Sequence, residues 1–84
     1  MTTYFVVMSW LPGRSGMLIS EEPWEARSAE HCRRMVARLV AEGRAGAVGF
    51  SRTGDPSTGD WEDAVIIHRA GELPDDEDVF AMAG

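Results

Sequence analysis

The chain has 84 residues, 44% of them apolar, and carries fourteen acidic against eight basic side chains. A chain of this length forms one small domain, residues 1–84, and its apolar share supports a packed core rather than disorder. The formal charge of −6 disfavours DNA and anionic lipid as partners. The N-terminal segment MTTYFVVMSW has no basic residue and only a short apolar run, so we expect neither a signal peptide nor a membrane span.

The two signs of charge are unevenly distributed along the chain. All eight basic residues are arginines, and seven of them accompany five glutamates up to Gly54, a balance of +2. After Gly54, nine acidic residues, here called the acid block, accompany Arg69 alone, a balance of −8. Such a block repels polyanions and attracts a cationic groove on another protein. We predict that the acid block binds the partner, with Trp61 or Phe80 as an apolar anchor amid the charge. The predicted partner-binding residues are Asp55, Asp60, Trp61, Glu62, Asp63, Glu72, Asp75, Asp76, Glu77 and Asp78.

Residues 3–10 (TYFVVMSW) are rich in β-branched and aromatic side chains, which predicts a first strand. Both faces of this strand are apolar at its centre, as in an interior strand covered on one side by a helix and on the other by a further layer. A second copy of the chain could supply that layer, so the sequence is compatible with a homodimer. Residues 11–16 predict a turn, after which residues 17–20 pair back as an edge strand. Pro23 makes residues 21–27 a connection or a bent extended segment.

Apolar residues recur at helical spacing over residues 28–43, which predicts an amphipathic helix lying on a sheet. Ser28 is placed to cap the first turn, and Gly43 to take the left-handed conformation that follows the last. The apolar stripe is Ala29, Cys32, Met35, Val36, Leu39 and Val40, and the opposite stripe is Glu30, Arg34, Arg38 and Glu42. A single cysteine within the apolar stripe predicts a buried, reduced thiol in a cytoplasmic protein.

Residues 47–52 predict a further strand whose Val48 and Phe50 face the helix. Residues 53–60 combine two Gly, one Pro and two Asp, so we expect a loop at the tip of a long hairpin. Residues 61–69 predict the last strand, and residues 75–84 a short terminal helix or a flexible tail. The expected fold is α+β, a two-layer ββαββ sandwich in which a three- to four-stranded antiparallel sheet carries one helix packed on one face.

No group of residues has the spacing of a catalytic or metal site. His31 and Cys32 are adjacent, so their side chains diverge by about 100° on a helix, whereas zinc ligands need spacings such as Cys-x-x-Cys. The segment 55–60 lacks the glycine at the sixth position and the glutamate at the twelfth that a calcium loop requires. A nucleophile elbow of the Gly-x-Ser-x-Gly type is also missing. We therefore predict no catalytic residue, no metal site and no cofactor, in a protein that is not an enzyme.

Two other functions are compatible with the sequence. A small nucleic-acid-binding domain would use stacking aromatics together with an arginine patch on the helix side: Tyr4, Phe5, Phe50 and Trp61 with Arg33, Arg34, Arg38 and Arg44. A ferredoxin-like dimeric accessory subunit would form a pocket between two copies, lined by His68 and Trp61. The net charge opposes direct binding of nucleic acid, so we expect a protein partner.

The small size, the acid block after Gly54 and the missing catalytic group make the chain resemble the small phage-borne anti-CRISPR inhibitors. The segment AVGFSRTGDPSTGDWEDAVIIHRAGELPDD is also similar to uncharacterised small proteins of mobile elements in high-GC bacteria. The resemblance implies an inhibitor that docks on a CRISPR effector complex, such as a type I Cascade, and occludes the basic surface that binds target DNA. It lies in general character rather than in a motif, so it transfers no functional residue.

Overall fold

The computed structural model describes residues 1–74, so the predicted terminal helix or tail over residues 75–84 lies outside the described residues. The elements are, in chain order, β1 (Thr2–Pro12), a 3₁₀ turn (Arg14–Gly16), β2 (Leu18–Ser20), β3 (Trp24–Ala26), α1 (Ala29–Ala41), β4 (Gly46–Asp55), β5 (Asp60–Trp61) and β6 (Val65–Gly71).

All six strands belong to one antiparallel sheet. Its centre is the long pair of β1 and β4, which runs from Thr2 opposite Gly54 to Trp10 opposite Gly46. β2 and β3 both pair with the outer edge of β1, and β5 and β6 both pair with the outer edge of β4. The predicted α+β class, with an antiparallel sheet and one long helix, is confirmed for the described part of the chain.

The sheet has six strands rather than three or four because its outer sides are interrupted. Residues 21–23 separate β2 from β3 and stand opposite only two residues of β1. An extra residue of this kind bends the strand, and Pro23 has no N–H to donate to a ladder. Residues 62–64 separate β5 from β6 in the same way, opposite two residues of β4. The predicted bent extended segment over residues 21–27 therefore contains the short strand β3.

Helix α1 begins and ends as the sequence predicts. The backbone N–H of His31 donates to the Ser28 hydroxyl at 3.1 Å, which satisfies one of the free donors of the first turn. Gly43 has a φ of 110°, a conformation that L side chains rarely adopt. Its N–H donates to the Val40 carbonyl, and the N–H of Arg44 donates to the Leu39 carbonyl, so the last carbonyls of the helix are also satisfied.

The helix packs on the small residues of β4, not on the large ones. Ala47 belongs to the core cluster beneath the helix, together with Cys32 and Val36. A Cβ added at Gly49 would lie 3.1 Å from the Cβ of Cys32, so the missing side chain permits the close approach. The prediction that Val48 and Phe50 face the helix is wrong, because the alternation along β4 points them to the other side.

A second core cluster fills the face of the sheet away from the helix. Met8, Trp10, Val48 and Phe50 are each at most 2% exposed, and Leu73 packs against them after β6. Both faces of the central strands are therefore buried in a single chain, as the apolar centre of β1 predicts. This burial does not require a second copy, so the homodimer stays a prediction.

The tip of the β4–β5 hairpin is shorter than the predicted loop. β4 continues to Asp55 and β5 begins at Asp60, which leaves residues 56–59 as the turn. The loop predicted over residues 53–60 is wrong at both ends because Thr53 and Gly54 still pair with β1, an extension that turn-forming composition hides. The single strand predicted over residues 61–69 is also wrong, since residues 62–64 belong to no strand.

Candidate functional site

The β4–β5 turn is closed by hydrogen bonds around Asp55. The N–H of Gly59, whose φ is 78°, donates to the Asp55 carbonyl at 2.9 Å. The Ser57 hydroxyl and backbone N–H donate to the Asp55 carboxylate, at 2.6 and 2.9 Å. These bonds, that of the hydroxyl first, favour the ionised form and lower the pKa of Asp55. Asp55 is therefore a fixed negative charge at the tip.

Two carboxylates share one face of this hairpin. Asp55 pairs directly with Asp60, so the two side chains are cross-strand neighbours on the same face. Glu62 and Asp63 follow at once and are exposed. The ion pairs present within residues 1–74 use only glutamates that precede Gly54, namely Glu21, Glu30 and Glu42. Like charges directly opposite destabilise a sheet, and although Ser57 hydrogen-bonds Asp55, no cation within residues 1–74 forms an ion pair with Asp55 or Asp60.

The opposite face of the same hairpin carries an aromatic and cationic group, here called the tip platform: Tyr4, Arg52 and Trp61. Tyr4 lies directly opposite Arg52, and Trp61 lies opposite Gly54, two residues further along β4. The Tyr4 and Trp61 rings are 5.6 Å apart between centroids and tilted by 38°. The Arg52 guanidinium carbon lies 5.6 Å from the Trp61 ring centroid, within cation–π range.

Gly54 makes room for the tip platform. A Cβ built there would lie 2.5 Å from the Cε3 atom of Trp61 and 2.5 Å from the Asp60 carbonyl oxygen. Trp61 can lie flat across the strand only because this position has no side chain. Trp61 is nevertheless 37% exposed and Tyr4 is 38% exposed, so both aromatic residues are accessible to solvent.

Arg52 is held in the tip platform without a hydrogen-bond acceptor. Its Nε atom is buried and has no partner, and no ion pair of the described chain includes Arg52. A buried N–H without an acceptor is destabilising by about 1–3 kcal/mol. Two features of the hairpin tip, the opposed carboxylates and this guanidinium, are thus unfavourable in the isolated chain.

The structure brings together part of the predicted partner-binding surface. Asp55, Asp60, Trp61, Glu62 and Asp63 lie at or next to the hairpin tip. Glu72 lies at the opposite end of the sheet, where its N–H donates to Ala45. The separation is nine residues of β4, about 30 Å at strand spacing. Asp75, Asp76, Glu77 and Asp78 lie outside the described residues, as does Phe80. Glu72 therefore lies apart from the acidic residues of the hairpin tip, and its part in partner binding stays a prediction.

The predicted arginine patch is reduced by an internal ion pair. Arg44 donates to both carboxylate oxygens of Glu21, at 2.9 and 3.3 Å, and also lies 3.7 Å from Glu42. The hydroxyl of buried Ser9 donates to Glu21 at 2.8 Å and accepts from the Trp24 indole at 3.3 Å. The bond from Arg44 and then that from Ser9 lower the pKa of Glu21.

This polar network, which sequence reasoning missed, joins β1, the interruption after β2 and the segment before β4. Its only sequence signal is a serine at an inward-facing position of an apolar strand. On the helix itself, Arg34 and Arg38 are exposed, whereas Arg33 lies 3.5 Å from Glu30. Only part of the predicted patch is thus available to an anion.

The residues weighed for other chemistry are not assembled into a site. His68 lies opposite Gly49, whereas Trp61 lies opposite Gly54, about 17 Å away along the strand, so the two do not line one pocket within a chain. Cys32 is fully buried, and its burial raises the pKa of the thiol. Across residues 1–74, no three His, Cys, Asp or Glu side chains come together as metal ligands. The same residues include no helix with the length and apolarity needed to cross a bilayer.

The fold and this site define a small α+β domain that carries a two-faced hairpin tip, acidic on one side and aromatic with an arginine on the other. Comparison with known proteins adds no family: no family model, curated protein or solved structure matches the chain.

Proposed function

We propose that this protein is a non-enzymatic binding module whose hairpin tip docks on a basic groove of another protein. The observation that carries the proposal is the directly opposed pair of Asp55 and Asp60, which has no counter-ion in the described chain. Ser57 stabilises Asp55, but no cation of the described chain offsets the repulsion between the two carboxylates, which is relieved when arginine or lysine side chains of a partner approach. Trp61, exposed at the edge of the same tip, supplies an apolar contact beside the charge.

The basic groove that best fits such a surface is one that otherwise holds nucleic acid. Grooves of this kind concentrate Arg and Lys, and an acidic protein surface competes for them while its charge speeds the encounter. The proposed activity is therefore that of an inhibitor which occludes a nucleic-acid-binding surface in the cytoplasm. In keeping with the anti-CRISPR resemblance, the partner that we propose to test first is a type I Cascade complex.

The scaffold we infer for this activity is the two-layer ββαββ arrangement. In this arrangement β2 and β3 together count as one outer strand, and β5 and β6 together count as the other. Each outer strand is interrupted once. On this interpretation the hairpin tip projects from the end of the sheet, clear of helix α1. A rigid projecting tip holds the carboxylates in place, so little side-chain and backbone freedom is lost on binding.

The proposal is tested by charge reversal with a matched control. The tip variant combines Asp60→Lys with Glu62→Lys, and the control combines Glu22→Lys with Glu30→Lys, which changes the net charge equally at exposed positions away from the tip. We expect wild type and control to bind purified Cascade and to block its gel shift of target DNA, and the tip variant to lose both activities.

Each other outcome has a definite meaning. Equal losses in both variants would show that net charge, not the tip, carries binding. Failure of wild type to bind Cascade contradicts the assignment of the partner, and a gel shift of nucleic acid by the protein alone, abolished by Arg34→Glu with Arg38→Glu, supports the nucleic-acid alternative instead. Asp60→Lys should also raise the melting temperature, because it replaces a like-charge pair with an opposite-charge pair.

A further inference from the structure

We infer that the tip platform is a binding site for a carboxylate of the partner, with Arg52 as the residue that recognises it. The inference rests on the proposed function for the identity of the ligand, a protein, but its geometry is independent of the carboxylate face of the tip. It predicts that the partner segment carries both signs of charge: basic residues toward Asp55 and Asp60, and an acidic group toward Arg52.

The first step is the state of the guanidinium. Arg52 makes no ion pair in the described chain, and its Nε is buried without an acceptor. Arg44, by contrast, donates to both oxygens of the Glu21 carboxylate. Within the described chain Arg52 contacts the Trp61 ring but pairs with no carboxylate.

The second step is the surroundings of Arg52. The guanidinium lies near the Trp61 ring, and Tyr4 stands opposite Arg52 on the same face, so these aromatic rings limit the directions open to its remaining donors. A planar guanidinium matches a carboxylate through two parallel hydrogen bonds, and a neighbouring aromatic surface strengthens this pairing by excluding water. The half-exposed rings also accept an apolar side chain next to the carboxylate.

The third step is the choice between anions. Phosphate chains also pair with arginine and stack on aromatic rings, but they bring a row of negative charges against the carboxylates at the same hairpin tip. A single carboxylate brings only one negative charge, so it can pair with Arg52 without placing further negative charges near Asp55 and Asp60. The structure therefore favours an acidic peptide over a nucleic acid at the platform.

The test uses NMR titration of the full chain without a partner, so its failure is separable from failure of the proposed function. The probes are a blocked tetrapeptide with one glutamate beside one phenylalanine, its glutamine counterpart, a blocked peptide ending in a free carboxylate, and a 5′-phosphorylated thymidine dinucleotide. The signals followed are the Nε–H of Arg52 and the indole N–H of Trp61.

We expect a saturable shift of both signals with the carboxylate peptides, and binding about tenfold weaker with the glutamine peptide, because a charge-assisted bond is about twice as strong as a neutral one. A stronger response to the free C-terminus than to the glutamate identifies the terminus as the source of the carboxylate. Followed by the Trp61 indole N–H alone, Arg52→Gln should abolish the response, Arg52→Lys should retain part of it, and Arg34→Gln, an exposed helix position, should leave it unchanged.

Three results would overturn the inference. Equal binding of the glutamate and glutamine peptides would show that charge is not recognised. Preferential binding of the dinucleotide would make the platform a nucleic-acid site. A lack of any saturable shift into the millimolar range, with the wild-type chain confirmed as folded by circular dichroism, would contradict the assignment of this ligand class to the platform.

Discussion

Replacing Gly54 with alanine should disassemble the tip platform without touching a charge. The added Cβ would lie 2.5 Å from both the Trp61 ring and the Asp60 carbonyl oxygen, closer than atoms can approach. The ring must then move off the strand, away from Tyr4 and Arg52. Overpacking of this kind is destabilising by about 1–3 kcal/mol. The aromatic contact accounts for about 0.5–1.5 kcal/mol of that range, and the cation–π contact at an exposed site for about 0.5–1 kcal/mol.

The assay is thermal unfolding followed by circular dichroism. For a domain of this size, each kcal/mol shifts the melting temperature by about 4–8 °C, so the expected decrease is about 5–20 °C. In a Trp61→Ala background, the effect of Gly54→Ala should shrink to the part caused by the Asp60 carbonyl. Additive losses in the double variant, or a wild-type melting temperature for Gly54→Ala, would refute the proposed packing of Trp61 over Gly54.

Three further predictions concern the scaffold. Leu39, 6% exposed on the buried face of helix α1, should cost about 2–5 kcal/mol when changed to alanine, measured by urea unfolding, and an unchanged midpoint would contradict its place in the core. Glu21→Gln should lower the melting temperature at neutral pH more than Glu22→Gln does. Because the pKa of Glu21 is lowered in the folded state, its contribution to stability is complete above the unfolded pKa near 4.3 and is lost as the pH falls through the folded pKa. The difference in melting temperature between wild type and Glu21→Gln should therefore disappear in acid. A difference that stays constant with pH would contradict the pairing. Cys32 should resist a thiol reagent in the folded protein and react at once in denaturant, whereas rapid reaction of the native protein would contradict its burial.

The long helix and the central strands could be predicted because local sequence and final environment agree there. The apolar spacing of residues 28–43, a capping Ser28 and Gly43 at the end all specify the same element, and all three are confirmed. The first strand and its edge partner after the turn were predictable for the same reason. Each of these features depends on residues near one another in the chain.

The orientation of β4 could not be predicted from hydrophobicity alone. Both sets of alternating residues in this strand are compatible with burial, and the larger set, Val48 and Phe50, is the natural choice to face a helix. The structure selects Ala47 and Gly49 instead, because close approach of Cys32 needs an absent side chain. The distance between the helix and the strand depends on packing between distant parts of the chain, and that information is not local.

The hairpin tip could be predicted by composition but not by geometry. Its Gly, Pro and Asp residues indicate a turn, yet the ladder with β1 continues to Gly54 and thereby sets Trp61 over this glycine. The alternation of the strands also places Trp61 and Arg52 on one face and Asp55 with Asp60 on the other. Charge counted along the sequence could not separate these faces, and it could not show that Glu72 lies at the far end of the sheet.

The two unfavourable features of the tip are more informative together than the total charge is. An acidic surface that serves only solubility has no need of carboxylates directly opposite one another, because scattered charges keep a protein in solution equally well. It also has no need of an arginine that lies against an exposed tryptophan with its buried Nε unpaired. Both features become favourable when a partner supplies cations on one side of the hairpin and a carboxylate on the other. Substitutions that stabilise the isolated domain at Asp60 should therefore weaken its binding, a trade-off expected of a functional surface and not of a solubilising one.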